Sequence, residues 1–471
     1  MQDKTRKEKV TIGYGSAMEN VKFSLDSHTI YVNIQNMERL FYQELIDWKT
    51  GRMGKPLMVV GARQVGKTYL IDAFCQAEYR QYRQVNLFEE PLFQQIYSSD
   101  LNSEMKFEQL QLLIGLSLED PETILFVDEV QESEEFIAEL KFIQEKHPLA
   151  NIVCAGSLLG VKLKRSMKPF PVGKVVIKEM YPMSFQEFLM AIGRQALIPM
   201  IQRSFRENEM MLPAMHQQLL QLHRVYLCIG GMPEAVQHYL DAGGDLLQFD
   251  RSFFIDLRKA YLNDMNKYVK SQSEAIKVER IYDSIPIQQA NQARKFQYSK
   301  IRSGARASQY ESALDWIIAA SLVYKADCVT NTTKPLHYFT DPDIFKLFIN
   351  DVGMLVQSMG IDSRDIILDQ LKQFKGLLAE SYVAQELTAA GIDLYYWRSE
   401  NTAEIDFLIE TEDGVVPLEV KSADNVQSKS LDVYRRKFDP PYAIRVSTKN
   451  FGFSNGKKSL PLYAVFCLKR D

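Results

Sequence analysis

The sequence predicts an α/β fold: an N-terminal parallel sheet flanked by helices, a helix-rich middle, and a second α/β unit at the C-terminal end. Three observations carry this prediction. An apolar strand, Pro56 to Val60 (PLMVV), runs into a glycine loop and then into helical spacing from Tyr69 to Phe74. Two further apolar strands, in Thr123 to Glu129 (TILFVDE) and Asn151 to Ala155 (NIVCA), follow at the spacing of alternating strands and helices. Near the C-terminus, strand-like EIDFLIE (Glu404 to Glu410) and VVPLEVKS (Val415 to Ser422) flank a turn at Glu412-Asp413-Gly414, which reads as a hairpin.

Length and composition set the frame. A chain of 471 residues exceeds what one ordinary core accommodates, so about three domains are expected. The expected divisions are an extension at 1–36, the first α/β core at 37–190, a helical lid at 191–275, a middle region at 276–360 and the C-terminal unit at 361–471. Helical spacing in MERLFYQELIDWK begins at Met37, which makes that residue a second candidate for the start of the chain. Hydrophobic residues at 46% and charged residues at 25% are ordinary globular values. A formal charge of -4 excludes general affinity for polyanions, so any nucleic acid must meet a local patch. The five cysteines, an odd and scattered set with no C-x-x-C pair, argue for a reducing cytoplasmic location and against a disulfide frame or zinc site. No apolar run has the roughly 18 to 20 residues needed to span a bilayer, and no signal-peptide core follows the charged first residues.

The loop after the first strand, Gly61-Ala62-Arg63-Gln64-Val65-Gly66-Lys67-Thr68, has the spacing of a phosphate-binding loop. Its two glycines allow a tight turn in which backbone N–H groups and the following helix N-terminus face phosphate oxygens. Lys67 is placed to reach the β and γ phosphates of ATP, and the Thr68 hydroxyl to ligate Mg²⁺. Asp128 and Glu129 close the second strand: the first would hold the metal and the second would polarise the attacking water. Ser157, just after the third strand, is either a sensor of the γ phosphate or a loop serine that caps the next helix.

Five segments in order, GARQVGKT, ILFVDE, CAGS, YPMSFQEFL (Tyr181 to Leu189) and GGMPEAV (Gly230 to Val236), resemble a group of prokaryotic AAA-like P-loop ATPases over roughly residues 37 to 240. That group shows a Gly-Arg pair where this chain has Gly173-Lys174, and lysine lacks the planar guanidinium fork, which weighs against an arginine finger there. A homo-oligomer stays open. The acid-free stretch Val161 to Lys178, with Lys162, Lys164, Arg165, Lys168, Lys174 and Lys178, faces the nucleotide, a neighbour, a nucleic-acid backbone or only solvent.

In the middle of the chain, helical patterns are expected over Phe253 to Tyr268, Ala275 to Ser284 and Ala313 to Leu322, with Phe296 to Val329 helix-rich and the apolar Ser321 to Val323 after its helix. The resemblance implies a winged-helix-like module here, closed by Lys334 to Met354, and Lys300, Arg302 and Arg306 precede one helix. Contact with DNA through 276–360 and packing on the ATPase core are both consistent with that.

From Gly376, the order of an amphipathic helix carrying Glu380, strand Asp406, a hairpin and then Glu419-x-Lys421 resembles the PD-(D/E)XK, or restriction-endonuclease-like, superfamily over about 376–468. The resemblance implies that Glu380, Asp406 and Glu419 hold Mg²⁺ and that Lys421 orients water or balances charge, with DNA as substrate or partner. Such a core also survives as a binding module without activity. The reading is therefore an ATPase coupled to a nuclease-like tail that acts on or binds DNA, or an ATP-driven switch whose tail only binds a partner.

Overall fold

The structure is a computed structural model and describes residues 37–51, 54–157, 160–161, 171, 173–269, 271–291, 295–371, 373–399, 403–421 and 429–470. The extension expected at 1–36 and the cations Lys162, Lys164, Arg165 and Lys168 lie outside the described residues.

The first sheet is wholly parallel, in the order β2-β3-β4-β1-β5, with β1 Leu57–Val60, β2 Gln81–Asn86, β3 Thr123–Asp128, β4 Asn151–Ala155 and β5 Val176–Glu179. Helices cover both faces, which is why its central strands β3 and β4 are buried at every position and do not alternate. On one face Leu57, Val59, Ile124, Phe126 and Val153 pack with α1 (Phe41–Gly51) and α2 (Lys67–Glu78). On the other, Met58, Leu125, Val127, Ile152 and Cys154 meet α3 (Pro91–Ser98), α4 (Ser103–Ile114) and α5 (Glu134–Lys146).

Helices then follow without a strand: α6 (Phe185–Ala191), α7 (Leu197–Glu207), α8 (Pro213–Ile229), α9 (Pro233–Asp241), α10 (Ser252–Tyr268), α11 (Gln272–Ala290) and α12 (Ala307–Ala319). Ser184 opens α6 with a reciprocal capping box to Glu187. α11 continues past the expected end at Ser284 because Pro286 is accommodated inside it, buried against its neighbours.

The helix-rich reading of Phe296 to Val329 is corrected at its end, where Val323–Val329 is strand β6. Its burial alternates in the middle of the strand, and it pairs on both sides, antiparallel to β7 (Thr340–Ile349) and parallel to β8 (Tyr395–Arg398). The β6–β7 hairpin is thereby built into the second sheet, in the order β12-β13-β11-β10-β9-β8-β6-β7, and that sheet runs across the boundary expected at residue 360. Its remaining strands are β9 Glu404–Thr411, β10 Gly414–Val420, β11 Ala443–Ser447, β12 Gly452–Ser454 and β13 Lys457–Pro461. Two short helices, α13 (Val352–Ser358) and α14 (Ser363–Ile367), precede α15 (Lys375–Ala389), which covers one face of this sheet, while α16 (Lys429–Phe438) covers the other.

One buried cluster links the two sheets. Val65 and Leu70 beside the glycine loop belong to the same apolar core as Phe185, Tyr226, Tyr382 and Val383 of α15. Three polar bonds cross it: Glu386 Oε1 accepts from Phe185 N at 2.7 Å, Asp351 Oδ2 from Gly231 N at 2.6 Å, and Gln385 Nε2 donates to the Tyr226 hydroxyl at 2.8 Å. No described helix is long and apolar enough to cross a membrane.

Candidate functional site

In a parallel sheet all strand C-termini open on one edge, and that edge gathers the residues singled out in the first core. Because β1 lies between β4 and β5, the loop leaving it stands beside Ser157 and Glu179, with Asp128 one strand further on. Gly61 (φ +136°) has no room for a side chain, since a Cβ would lie 2.2 Å from the Met180 carbonyl oxygen. Gly66 (φ +92°) takes the left-handed conformation at the head of α2, and Gln64 (φ 64°) does so at the exposed tip. Ala62 and Val65 are buried and anchor the loop from beneath.

Lys67 is only 8% exposed, and its Nζ donates to the Gly61 and Ala62 carbonyls at 2.8 and 2.7 Å. Burial pulls its pKa down to about 8, against the opposing pull of Glu129 and Asp128. Thr68 Oγ1 donates to Asp128 Oδ2 at 2.9 Å, and Glu129 N to Asp128 Oδ1 at 2.9 Å. Burial raises the Asp128 pKa, with those two hydrogen bonds working against it. Glu129 follows at φ 53°, its carboxylate held by Gln131 Nε2. Ser157 Oγ is buried with no hydrogen-bond partner among the described residues, so it stands ready for a ligand or water oxygen. Its two sequence readings stay open in part, because residues 158–159 lie outside the described residues.

Three contacts around the loop escaped the sequence reading. Arg39 is 6% exposed and ties the loop to its surroundings: Nε donates to Glu187 Oε1 at 2.9 Å, one terminal nitrogen to the Val65 carbonyl at 2.7 Å and the other to the Tyr181 carbonyl at 2.8 Å. Arg63, within the loop, makes a two-pronged pair with Asp264 of α10, both bonds 2.9 Å long. Beyond the loop, Met37, Gly66, Tyr69, Leu70 and Pro233 line a cavity of about 230 Å³. Arg39 and Asp264 lie 26 and 201 residues from their loop partners, and no motif spacing signals either. Of the basic stretch before α6, Lys174 pairs with Glu145 at 2.8 Å and Lys178 with Glu44 at 2.5 Å, so both described members are answered by acids of the same core.

In the second sheet, β9 and β10 form the expected hairpin, with Thr411 paired to Gly414. A β-bulge sets two residues of β9, Asp406 and Phe407, against Tyr396 of β8, and turns both toward α15. Asp406 Oδ2 accepts from Val420 N at 2.7 Å. Glu380 of α15 comes to the same place, as does Glu404, two residues before Asp406. Lys346 of β7, with a side chain 10% exposed, donates to Glu380 Oε1 at 2.8 Å and Glu404 Oε1 at 2.6 Å. The four lie in a cavity of about 420 Å³. Burial and then the neighbouring Glu380 raise the Asp406 pKa, with Lys346 pulling the other way. Burial alone would lower the pKa of Lys346, but Glu380, Glu404 and Asp406 together hold it above its ordinary value.

Of the set expected from the sequence, Glu380, Asp406 and Lys421 line this cavity and Glu419 does not. Val416 and Leu418 pack with the α15 side and Val415 with the α16 side, so the odd-numbered residues of β10 face α16. Glu419 accordingly turns away from Asp406: it pairs with Lys421 Nζ at 2.9 Å, in the field of Arg445 and Lys457, and burial raises its pKa. Among the described residues no group of three or more His, Cys, Asp or Glu side chains is arranged to hold a metal ion. Lys346 was missed because it comes from a strand read as part of another region. Glu404 carried a signal, since i and i+2 on a strand share a face.

Comparison with known proteins bears on the first centre. Residues 53–189 match the family described as AAA domain. The chain carries an AAA-like P-loop ATPase domain. Residues 220–365 and 375–465 match two families each described as a domain of unknown function (DUF8612 and DUF4143). No curated protein matches the sequence. Among solved structures, the Walker-type ATPase of Pyrococcus abyssi is similar at 15% identity and a TM-score of 0.44, over 71% of this chain and 99% of that one. The ORC2 protein of Aeropyrum pernix in its ADPNP-ADP complexes follows at 13% identity and a TM-score of 0.36, over 74% and 97%. The ORC1 protein of the same organism, in complex with DNA, matches at 11% identity and a TM-score of 0.28, over 73% and 95%.

Proposed function

We propose that this protein is a Mg²⁺-dependent ATPase whose nucleotide state is passed to a partner-binding C-terminal unit. The observation that carries the reading is the Thr68–Asp128 hydrogen bond at 2.9 Å, which brings the hydroxyl of the phosphate loop and the first acid of β3 to one point beside Lys67. A hydroxyl and a carboxylate at that point are the donor set a Mg²⁺–ATP complex requires, and bound Mg²⁺ would supply charge neutralisation at the phosphates.

The chain's own groups account for the rest. Loop N–H groups and the head of α2 bind the phosphates, and the Lys67 ammonium exchanges its carbonyl partners for phosphate oxygens. Glu129 polarises the attacking water, and Ser157 Oγ meets the γ phosphate or that water. The cavity lined by Met37, Tyr69 and Leu70 offers the base an apolar slot. Arg63 is the direct link outward, because its partner Asp264 sits on α10, whose Tyr268 hydroxyl also donates to Glu132 Oε1 at 2.6 Å.

For the tail, the geometry supports binding over cutting, because Glu419 pairs with Lys421 and does not line the cavity that holds Glu380 and Asp406. DNA remains a partner to be tested, through 276–360 or 376–468. The experiment measures ATP turnover and plasmid cleavage together with Mg²⁺ or Mn²⁺, in wild type, Lys67→Ala and Asp406→Ala. Turnover that survives in Lys67→Ala sinks the ATPase assignment, and metal-dependent cleavage lost in Asp406→Ala sinks the binding reading of the tail.

A further inference from the structure

The acids of the C-terminal pocket converge on a lysine. Lys346 stands opposite Ala326 in the β6–β7 register, and this small neighbour leaves its long stem room to cross the sheet. Its Nζ reaches a point 5.0 Å from the centre of the Tyr396 ring on β8, and there meets one oxygen each of Glu380 and Glu404. We propose that the ammonium of Lys346 is the built-in cation of this pocket, holding the position among Glu380, Glu404 and Asp406 that a divalent metal would otherwise take.

The donor inventory supports this. Mg²⁺ needs near-octahedral oxygen ligands at about 2.0–2.1 Å, which requires several carboxylate oxygens to point at one empty position. Here Glu380 Oε1 and Glu404 Oε1 point at Nζ, and Asp406 Oδ2 is occupied by the Val420 N–H. The third carboxylate expected from the sequence, Glu419, does not line this cavity and is held by Lys421 Nζ at 2.9 Å. An ammonium with three donors suits such a nest of acids without any ion from solution. The pocket ties β7, α15 and β9 together as a charged strut, and the tail acts through what it binds.

This inference rests on the reading of the tail as a binding unit, and its test does not use ATP turnover, so the two fail separately. Mn²⁺ binding to the nucleotide-free full chain is followed by electron paramagnetic resonance, for wild type, Asp406→Asn, Lys346→Met and the double variant Lys346→Met with Asp406→Asn. Wild type and Asp406→Asn are expected to give the same isotherm. Lys346→Met is expected to gain one Mn²⁺ per chain, lost again in the double variant. A wild-type Mn²⁺ site that disappears in Asp406→Asn overturns the proposal, as does a folded Lys346→Met that gains none. Should Lys346→Met fail to fold, as judged by circular dichroism, the comparison of wild type with Asp406→Asn still decides.

Discussion

The two centres each set a buried lysine among acids, and they use it in opposite ways. Lys67 donates to two backbone carbonyls, which leaves Asp128 to Thr68, and burial pulls its pKa down to about 8, with Glu129 and Asp128 offsetting only part of that. Lys346 donates to two carboxylates with a third nearby, and its pKa rises although burial works against it. Burial penalises both ammonium groups, so the balance turns on how many carboxylates lie in direct contact. The lesson is chemical: a lysine bonded to neutral carbonyls can be recruited by an arriving phosphate, whereas one bonded to carboxylates is already neutralised.

That contrast is open to attack, beginning with its largest expected effect. Lys67→Ala is expected to lower ATP turnover by ~10²–10³-fold, the scale for removing one donor to developing charge, whereas Lys421→Ala should leave turnover unchanged. Glu129→Gln should cut kcat by about 10²-fold or more while ATP binding, measured by fluorescent-nucleotide titration, persists. Retained turnover in that variant would move the base elsewhere. Lys346→Met should destabilise the fold by about 3–5 kcal/mol in urea denaturation, the cost of leaving buried carboxylates without their cation. The smallest effect is in pH dependence. With its pKa lowered to about 8, Lys67 is ammonium below that pH and loses its charge above it, so ATP affinity should weaken as pH climbs past about 8. An affinity flat to pH 10 would mean that the lysine is not the phosphate contact.

The first core was legible almost residue by residue. Strand, glycine loop and helix are neighbours in sequence, and the acids of β3 sit at a strand end whose edge is set by parallel pairing alone. The loop's supports were not legible. Arg39 reaches it from ahead of α1, and Asp264 reaches it from α10, contacts between segments far apart in the chain that no local pattern encodes. In the tail, helix, hairpin and strand order were readable, but the facing of Asp406 was not. A one-residue bulge in β9 breaks the alternation from which side-chain direction is inferred, and Asp406 and Glu419, opposite each other by count, end on different faces.

By itself the sequence determined the local matters: a phosphate loop with its hydroxyl and lysine, an acid pair after a buried strand, and a C-terminal hairpin. These follow from backbone conformation and period, which a few consecutive residues control. Tertiary structure alone decided that β6 and β7 join the second sheet, that Arg63 is held by Asp264, and that Lys346 fills the acidic pocket. Each of those depends on charged or apolar groups far apart in the chain meeting in a low-dielectric interior, where a single ammonium among carboxylates changes what the pocket can bind.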